Sequence, residues 1–135
     1  MRNKRRINAT SYHIAIHDLI EKLPKNKYKA VYGVPRGGLM VALYISHQLD
    51  IPIISNFLFD GVIEKESKYT IDEVLVVDDI IDTGKTVGKI KGYGFDVAST
   101  FYRFSCPVKP DYFVFEMETE WVVFPYERDD EEMNR

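Results

Sequence analysis

The stretch from Val74 to Thr86, VLVVDDIIDTGKT, decides how this chain is read. It opens on Val74-Leu75-Val76-Val77, nearly all β-branched, which suits a strand buried on both faces of a parallel sheet. That run ends in two adjacent carboxylates, Asp78 and Asp79. A third acid, Asp82, follows, and then Thr83-Gly84-Lys85-Thr86, which reads as the start of a helix. A buried strand running into such a loop gathers acids and backbone N–H groups at the carboxyl end of a sheet, where open α/β sheets bind ligands. Carboxylates suit sugar hydroxyls or a hard cation, and N–H groups at a helix start suit a phosphate. One loop built for a diol, a cation and a phosphate implies a phosphorylated sugar.

Consecutive strand residues point to opposite faces, so Asp78 and Asp79 can reach different atoms of one ligand. Three acids this close repel one another unless a cation or hydrogen-bond donors offset them. A solvent-facing acidic turn would explain the acids, but the strand before them reads as buried and a phosphate turn follows directly. Gly84 allows close backbone approach, Thr83 and Thr86 offer hydroxyls, and the helix dipole favours an anion. Gly-Lys-Thr also resembles part of a Walker A motif. That motif needs a glycine five positions before Gly84, where Asp79 stands, so a nucleoside triphosphatase is rejected.

Outward from this stretch, strands and helices alternate. Thr10 or Ser11 can cap a first helix with Ile16, Leu19, Ile20 and Leu23 on one face, and Pro24 stops it. Residues 28–34 read as a strand that enters a Pro35-Arg36-Gly37-Gly38 turn. Residues 39–49 read as a helix with Leu39, Ala42, Leu43 and Ser46 on one face. Residues 51–57 read as a second strand, and residues 60–72 as a polar segment. After residues 74–77 comes a short helix ending near Lys91, where Gly92 and Gly94 follow. Residues 97–104 and 112–115 read as further strands. This order implies a mostly parallel central sheet flanked by helices, in one domain spanning residues 1–135. In the Pro35–Gly38 turn, two glycines expose amides and Arg36 can grip a phosphate with paired donors. Two such turns after neighbouring strands imply two anion positions, as a sugar with a phosphate at one end and a pyrophosphate at the other would need.

Composition narrows the class. The chain has 135 residues, of which 45% are hydrophobic and 29% charged, ordinary values for a soluble globular domain. A net charge of −3 gives no general reason to expect nucleic-acid binding. No apolar run approaches the roughly 18 residues that span a bilayer, and no apolar signal core follows the basic start. Arg2-Asn3-Lys4-Arg5-Arg6 and Asp129-Asp130-Glu131-Glu132 read as solvated termini. A single cysteine, Cys106, excludes an internal disulfide, fits a reducing cytoplasm and reads as a small buried residue. His13 and His17 stand four apart on a helix, but Ile14 occupies the position where a zinc-protease helix carries glutamate, so a surface or packing role is favoured.

These motifs together resemble the type I phosphoribosyltransferases, whose signature is an apolar strand, two acids, two apolar residues and Asp-Thr-Gly-Lys-Thr or a close variant. Val34-Pro35-Arg36-Gly37-Gly38-Leu39 is similar to the pyrophosphate loop of that family. Tyr12, His17 and the run Trp121-Val122-Val123-Phe124-Pro125-Tyr126-Glu127 resemble its bacterial xanthine–guanine branch. The resemblance covers roughly residues 8 to 127 in order.

It implies transfer of phosphoribose from 5-phosphoribosyl 1-pyrophosphate to guanine, xanthine or hypoxanthine, giving a nucleoside monophosphate and pyrophosphate in purine salvage. It implies that Asp78 and Asp79 hold the ribose hydroxyls, with Asp79 also near Mg²⁺. Thr83, Gly84, Lys85 and Thr86 then cradle the 5′-phosphate. Arg36 and Gly37 contact the pyrophosphate, with a non-proline cis bond there as in the family. Asp82 faces the purine imidazole as proton acceptor, Trp121 stacks on the base, and Val122 and Glu127 read its edge. Arg103 occupies the place of a lysine that faces the 6-oxo group. Homodimers or homotetramers are common in the family. A small hood formed by both chain ends is expected, and no membrane or nucleic-acid partner.

The chain departs from the pattern in three places. Arg103 replaces the lysine with a bulkier group carrying a fixed donor fork. Glu127 replaces a shorter aspartate. The segment between the second and third strands is shorter than the family's flexible hood, which excludes water over the substrates; Lys65, Ser67, Lys68 and Tyr69 are its candidates for that work. Two other readings follow from the departures: a non-catalytic binder of phosphoribosyl pyrophosphate or nucleotides with a regulatory role, and a transferase acting on another base.

Overall fold

The computed structural model describes residues 3–54 and 68–128, together with the backbone of residues 58–59 and 62–63. Its elements in chain order are β1 (Lys4–Arg6), α1 (Ala9–Glu21), β2 (Ala30–Gly33), α2 (Gly38–Leu49), β3 (Leu58–Phe59), β4 (Val62–Ile63), β5 (Val74–Ile81), α3 (Lys85–Gly92), β6 (Asp96–Arg103), β7 (Tyr112–Met117) and β8 (Trp121–Val123). The central sheet has the order β2-β5-β6-β7, and every pairing in it is parallel.

Residue alternation along β5 builds the two halves of the core. Leu75 and Val77 pack with Tyr12, Ile16, Leu19, Val41 and Ile45 under α1 and α2. Val74 and Val76 pack with Val87, Ile90, Phe95 and Val97 under α3. Val74, Leu75, Val76 and Val77 are all fully buried, each worth about 1.5–3 kcal/mol relative to exposure.

Several local expectations are corrected. The cap of α1 is Asn8, whose Oδ1 accepts from the Ser11 amide at 2.8 Å; Thr10 and Ser11 lie inside the helix. Asparagine three residues before a free amide is a strong cap in its own right. The buried face of α2 is Gly38, Val41, Ala42 and Ile45, whereas Leu39 and Leu43 are half exposed. The helix starts at Gly38, pressed against β2 and β5, and this closeness selects the glycine–alanine side for the sheet. Of the strand expected at 51–57, residues 51–54 are described, and there Ile53 makes a single parallel bridge with Val31; residues 55–57 lie outside the described residues. Pro52 has no amide to give and contributes only its carbonyl, to Val31.

The described termini meet in a second, two-stranded parallel sheet, in which Lys4, Arg5 and Arg6 of β1 face Trp121, Val122 and Val123 of β8. This is the small addition expected from the two chain ends. Between β3 and β4, Leu58 pairs with Ile63 and Phe59 with Val62. Arg2, residues 129–132, and Lys65 and Ser67 of the hood reading lie outside the described residues. Lys68 and Tyr69 are described, with the ammonium of Lys68 5.5 Å from the Tyr69 ring centre.

Candidate active site

Strand β5 outruns its neighbour. Its last partner on β2 is Gly33 opposite Val77, while on the other side it continues along β6, with Asp78 opposite Ser99, Ile80 opposite Phe101 and Ile81 opposite Tyr102. The sequence suggests a strand ending at Val77; the acids instead lie inside a strand whose β2 side has been vacated. Into that space turns the loop after β2. It is tied back by the Val34 amide donating to the Val77 carbonyl at 2.9 Å and the Gly38 amide donating to Val34 at 2.8 Å. The peptide bond between Pro35 and Arg36 is cis, one bond before the Arg36–Gly37 pair. The glycines of this loop are steric requirements. A Cβ on Gly37 would run into the Asp79 carboxylate, and one on Gly38 would lie 2.5 Å from the Val77 carbonyl oxygen.

Each acid is held by its own backbone. Asp78 Oδ1 accepts from the Asp79 amide at 2.8 Å and Asp79 Oδ1 from the Ile80 amide at 2.7 Å. The Thr100 hydroxyl donates to the Asp79 carbonyl at 2.6 Å, and the Tyr12 hydroxyl lies 3.2 Å from Thr100 Oγ1. The hydroxyl of Tyr126 donates to the remaining carboxylate oxygen of Asp79, Oδ2. Burial first, and the Asp79 charge second, push the ionisation of both Tyr12 and Tyr126 far above the usual phenol range. Both are therefore neutral donors or acceptors at physiological pH.

The turn after β5 is shaped by Gly84, whose φ of 81° is left-handed and costs glycine nothing. A side chain there would also strike Cys106 Sγ, 2.5 Å away; Cys106 is buried beneath the turn, with its sulfur 3.2 Å from the Val108 carbonyl. Thr83 Oγ1 accepts from the Lys85 amide at 3.3 Å as α3 begins.

Asp82 faces the other way along the strand end. The Arg103 Nε donates to its Oδ1 at 2.6 Å, between side chains only 13% and 8% exposed. The same guanidinium donates from Nη1 to the Glu118 carbonyl at 2.5 Å and from Nη2 to the Glu120 carbonyl at 3.1 Å. Arg103 thus joins Asp82 to the connection that leads into β8.

Arg36, Gly37, Asp78, Asp79, Thr86 and Glu127 line one cavity of about 450 Å³. Asp82, Thr83, Gly84 and Lys85 line a smaller one of about 110 Å³, and Asp78 and Thr86 border both. Trp121 and Val122 line neither; they are buried in β8. Glu127 Oε1 accepts from the Phe124 amide at 3.0 Å, closing the turn that follows β8. The larger cavity is also lined by Tyr126 and Arg128, neither of which sequence reasoning assigned to the site. Tyr126 stands in the run that carried the resemblance, but its pairing with Asp79, 47 positions away, leaves no mark on local sequence. The rings of His13 and His17 lie with centres 4.4 Å apart and planes tilted by 55°, with His13 Nδ1 3.3 Å from the Tyr44 hydroxyl.

Among the described residues no three His, Cys, Asp or Glu side chains cluster as a metal cage. Two hard carboxylates beside a cavity fit Mg²⁺, which takes one or two carboxylates and fills its remaining positions with water and substrate phosphate oxygens.

No family model matches the chain. Among curated proteins it is 28% identical over 118 residues to the xanthine-guanine phosphoribosyltransferase of Desulfotalea psychrophila, covering 78% of this chain and 74% of that one. Among solved structures it superposes on the Helicobacter pylori xanthine-guanine-hypoxanthine phosphoribosyltransferase with a TM-score of 0.74, 21% identity and coverage of 94% and 95%, a likeness of fold. It superposes on the purine phosphoribosyltransferase of Pyrococcus horikoshii with a TM-score of 0.75 and 32% identity, over 98% of this chain and 99% of that one. With the strand–acid–turn unit in place and a relative this similar along its whole length, the chain belongs to the purine phosphoribosyltransferases.

Proposed function

We propose that this protein transfers phosphoribose from 5-phosphoribosyl 1-pyrophosphate to a 6-oxopurine, releasing pyrophosphate and a nucleoside monophosphate in purine salvage. One observation carries the reading. The Arg36–Gly37 loop and the Asp78–Asp79 pair line one cavity, and the Thr83–Thr86 turn lines the cavity adjoining it. Anion, diol and anion sites then follow one another in the order a doubly phosphorylated ribose needs.

In this reading Asp78 and Asp79 accept the ribose hydroxyls. The turn from Thr83 to Thr86 binds the 5′-phosphate through its amides and hydroxyls. Arg36 and the Gly37 amide bind the pyrophosphate. The bond from C1′ to the pyrophosphate oxygen breaks, the bond from C1′ to the purine nitrogen forms, and the imidazole proton passes to the Asp82 carboxylate. Arg103 holds that carboxylate; its place beside the 6-oxo edge is assigned on the resemblance, and its three nitrogens already donate to Asp82, Glu118 and Glu120. Glu127 reads the base edge from the larger cavity; Trp121 as stacking face and the Val122 backbone as reader are assigned on the resemblance alone, since both are buried in β8 and line neither cavity. Asp79 is the residue that would hold Mg²⁺ together with substrate oxygens, and the ion would supply positive charge to the pyrophosphate as it departs. The residues themselves contribute position and preorganised donors, the larger part of catalysis when the transition state resembles an oxocarbenium ion.

The chain is placed in a reducing cytoplasm on its single cysteine, as one domain over residues 1–135. A homodimer or homotetramer is proposed from the resemblance. None of the helices among the described residues is long and apolar enough to cross a membrane.

The test is pyrophosphate release with phosphoribosyl pyrophosphate and Mg²⁺, with guanine, xanthine, hypoxanthine and adenine supplied separately. Release with a 6-oxopurine and not with adenine is expected. Binding of phosphoribosyl pyrophosphate without release for any base would favour a regulatory binder instead.

A further inference from the structure

We infer that Tyr126 is a latch on Asp79: its hydroxyl competes with the substrate for the carboxylate and so couples the purine-side turn to phosphoribosyl pyrophosphate binding. The inference rests on the proposed function for the role of Asp79, and on this structure for everything else.

Three observations carry it. Asp79 is only 8% exposed, although it lines the larger cavity. Its two oxygens are already engaged, Oδ1 by the Ile80 amide and Oδ2 by the Tyr126 hydroxyl, and the Gly37 backbone lies against the same carboxylate. The Ile80 contact belongs to the strand and stays with it. Gly37 belongs to a loop fastened to β5 and α2. Tyr126 is the cover that can leave, because it sits in the turn after β8, is 41% exposed and has its ring stacked on Phe124 with centres 5.7 Å apart.

The same turn carries Glu127, whose carboxylate binds the Phe124 amide, and follows directly on Trp121 and Val122. A ribose hydroxyl or a hydrated cation that takes Asp79 Oδ2 displaces the phenol. Displacement frees the turn that bears Glu127, a residue assigned to the base. Phosphoribosyl pyrophosphate thereby prepares the purine side, and the energy of the phenol–carboxylate bond is subtracted from its affinity.

Tyr126→Phe removes the hydroxyl and keeps the ring against Phe124. Titration calorimetry with phosphoribosyl pyrophosphate and Mg²⁺ is expected to show affinity raised roughly three- to tenfold, the value of one intramolecular hydrogen bond. Without the substrate the variant is expected to melt below the wild type, and at saturating phosphoribosyl pyrophosphate the gap is expected to close. Unchanged or weaker affinity, or a melting gap that persists at saturation, would overturn the latch and mark the phenol as a permanent support of Asp79. Should the variant fail to fold, wild-type protein carrying ¹³Cζ-tyrosine decides: the Tyr126 resonance is expected to move on saturation, and a fixed resonance overturns the latch. A wild type that does not bind phosphoribosyl pyrophosphate at all would overturn the functional reading and the latch with it, an outcome distinct from failure of the latch alone.

Discussion

Asp82 and Arg103 are 21 positions apart, yet their side chains share a 2.6 Å bond at the edge of the core. The arrangement gives each partner a separate prediction. Asp82→Asn keeps the size of the side chain and removes the carboxylate proposed as proton acceptor. Turnover is expected to fall roughly 10²–10⁴-fold while the affinity for phosphoribosyl pyrophosphate stays within about threefold. Equal losses in both, measured by steady-state kinetics and calorimetry, would contradict a role in proton transfer. Arg103→Met leaves the Asp82 carboxylate and two carbonyl oxygens without their donor. It is expected to cost about 3–5 kcal/mol in urea denaturation, because one charge of a buried pair is stranded. Arg103→Lys restores the charge but not the three-way fork, so its cost is expected near 1–2 kcal/mol. A loss for Met no larger than for Lys would show that the guanidinium is not the clamp seen here.

At the scale of elements, the site exists because β5 extends four residues past Val77, its last residue paired with β2, and the Pro35–Gly38 loop turns into the gap. Gly38 is where α2 touches that strand. Gly38→Ala, which sets a methyl 2.5 Å from the Val77 oxygen, is expected to destabilise by roughly 1–3 kcal/mol. Gly92→Ala at the end of α3 meets nothing within 4 Å and is expected to stabilise by about 0.4–1 kcal/mol. Chemical denaturation of the pair checks the contrast, and a neutral Gly38→Ala would mean that α2 can slide off β5. Much of this level was legible in sequence. The unbroken, nearly all β-branched run Val74 to Val77 announces a strand buried on both faces, and Gly84 announces its turn. What stayed hidden was long-range. Lys4-Arg5-Arg6 has no intrinsic reason to be extended and becomes a strand only because Trp121–Val123 lies beside it. The polar run to which Arg103 donates, Glu118 to Glu120, reads as a plain loop. The face of α2 was not legible because apolar residues stand on both sides of the helix: Gly38 and Ala42 let the backbone close on the sheet and turn Val41 and Ile45 inward, leaving Leu39 and Leu43 half exposed.

At the scale of the whole molecule, buried phenols tie stability to pH. Tyr12 and Tyr126 are raised by burial and by the charge of Asp79, and Tyr28 by burial and by its bonds to Asp96 and Tyr112. The Tyr28 hydroxyl donates to Asp96 Oδ2 at 2.6 Å and so fastens the start of β6 to the residues before β2. In the unfolded chain these groups ionise near 10.0, whereas the folded chain keeps their protons. Above that pH the folded state binds more protons than the unfolded one, so stability is complete below it and is lost as pH rises beyond it. Of the nine tyrosines, the buried Tyr12 and Tyr28 are expected by ultraviolet absorbance to ionise only as the chain unfolds. All nine ionising together near pH 10 in folded protein would contradict the buried network.

The residue, element and molecular levels converge on one chemical act at the cavity beneath the Tyr126 turn. The most direct measurement mixes the protein with phosphoribosyl pyrophosphate, Mg²⁺ and guanine, xanthine or hypoxanthine, and follows nucleotide and pyrophosphate together by chromatography. The account predicts that a nucleoside monophosphate and pyrophosphate appear in equal amounts with at least one of these bases. Pyrophosphate without nucleotide, or neither product from protein that binds phosphoribosyl pyrophosphate, would contradict it.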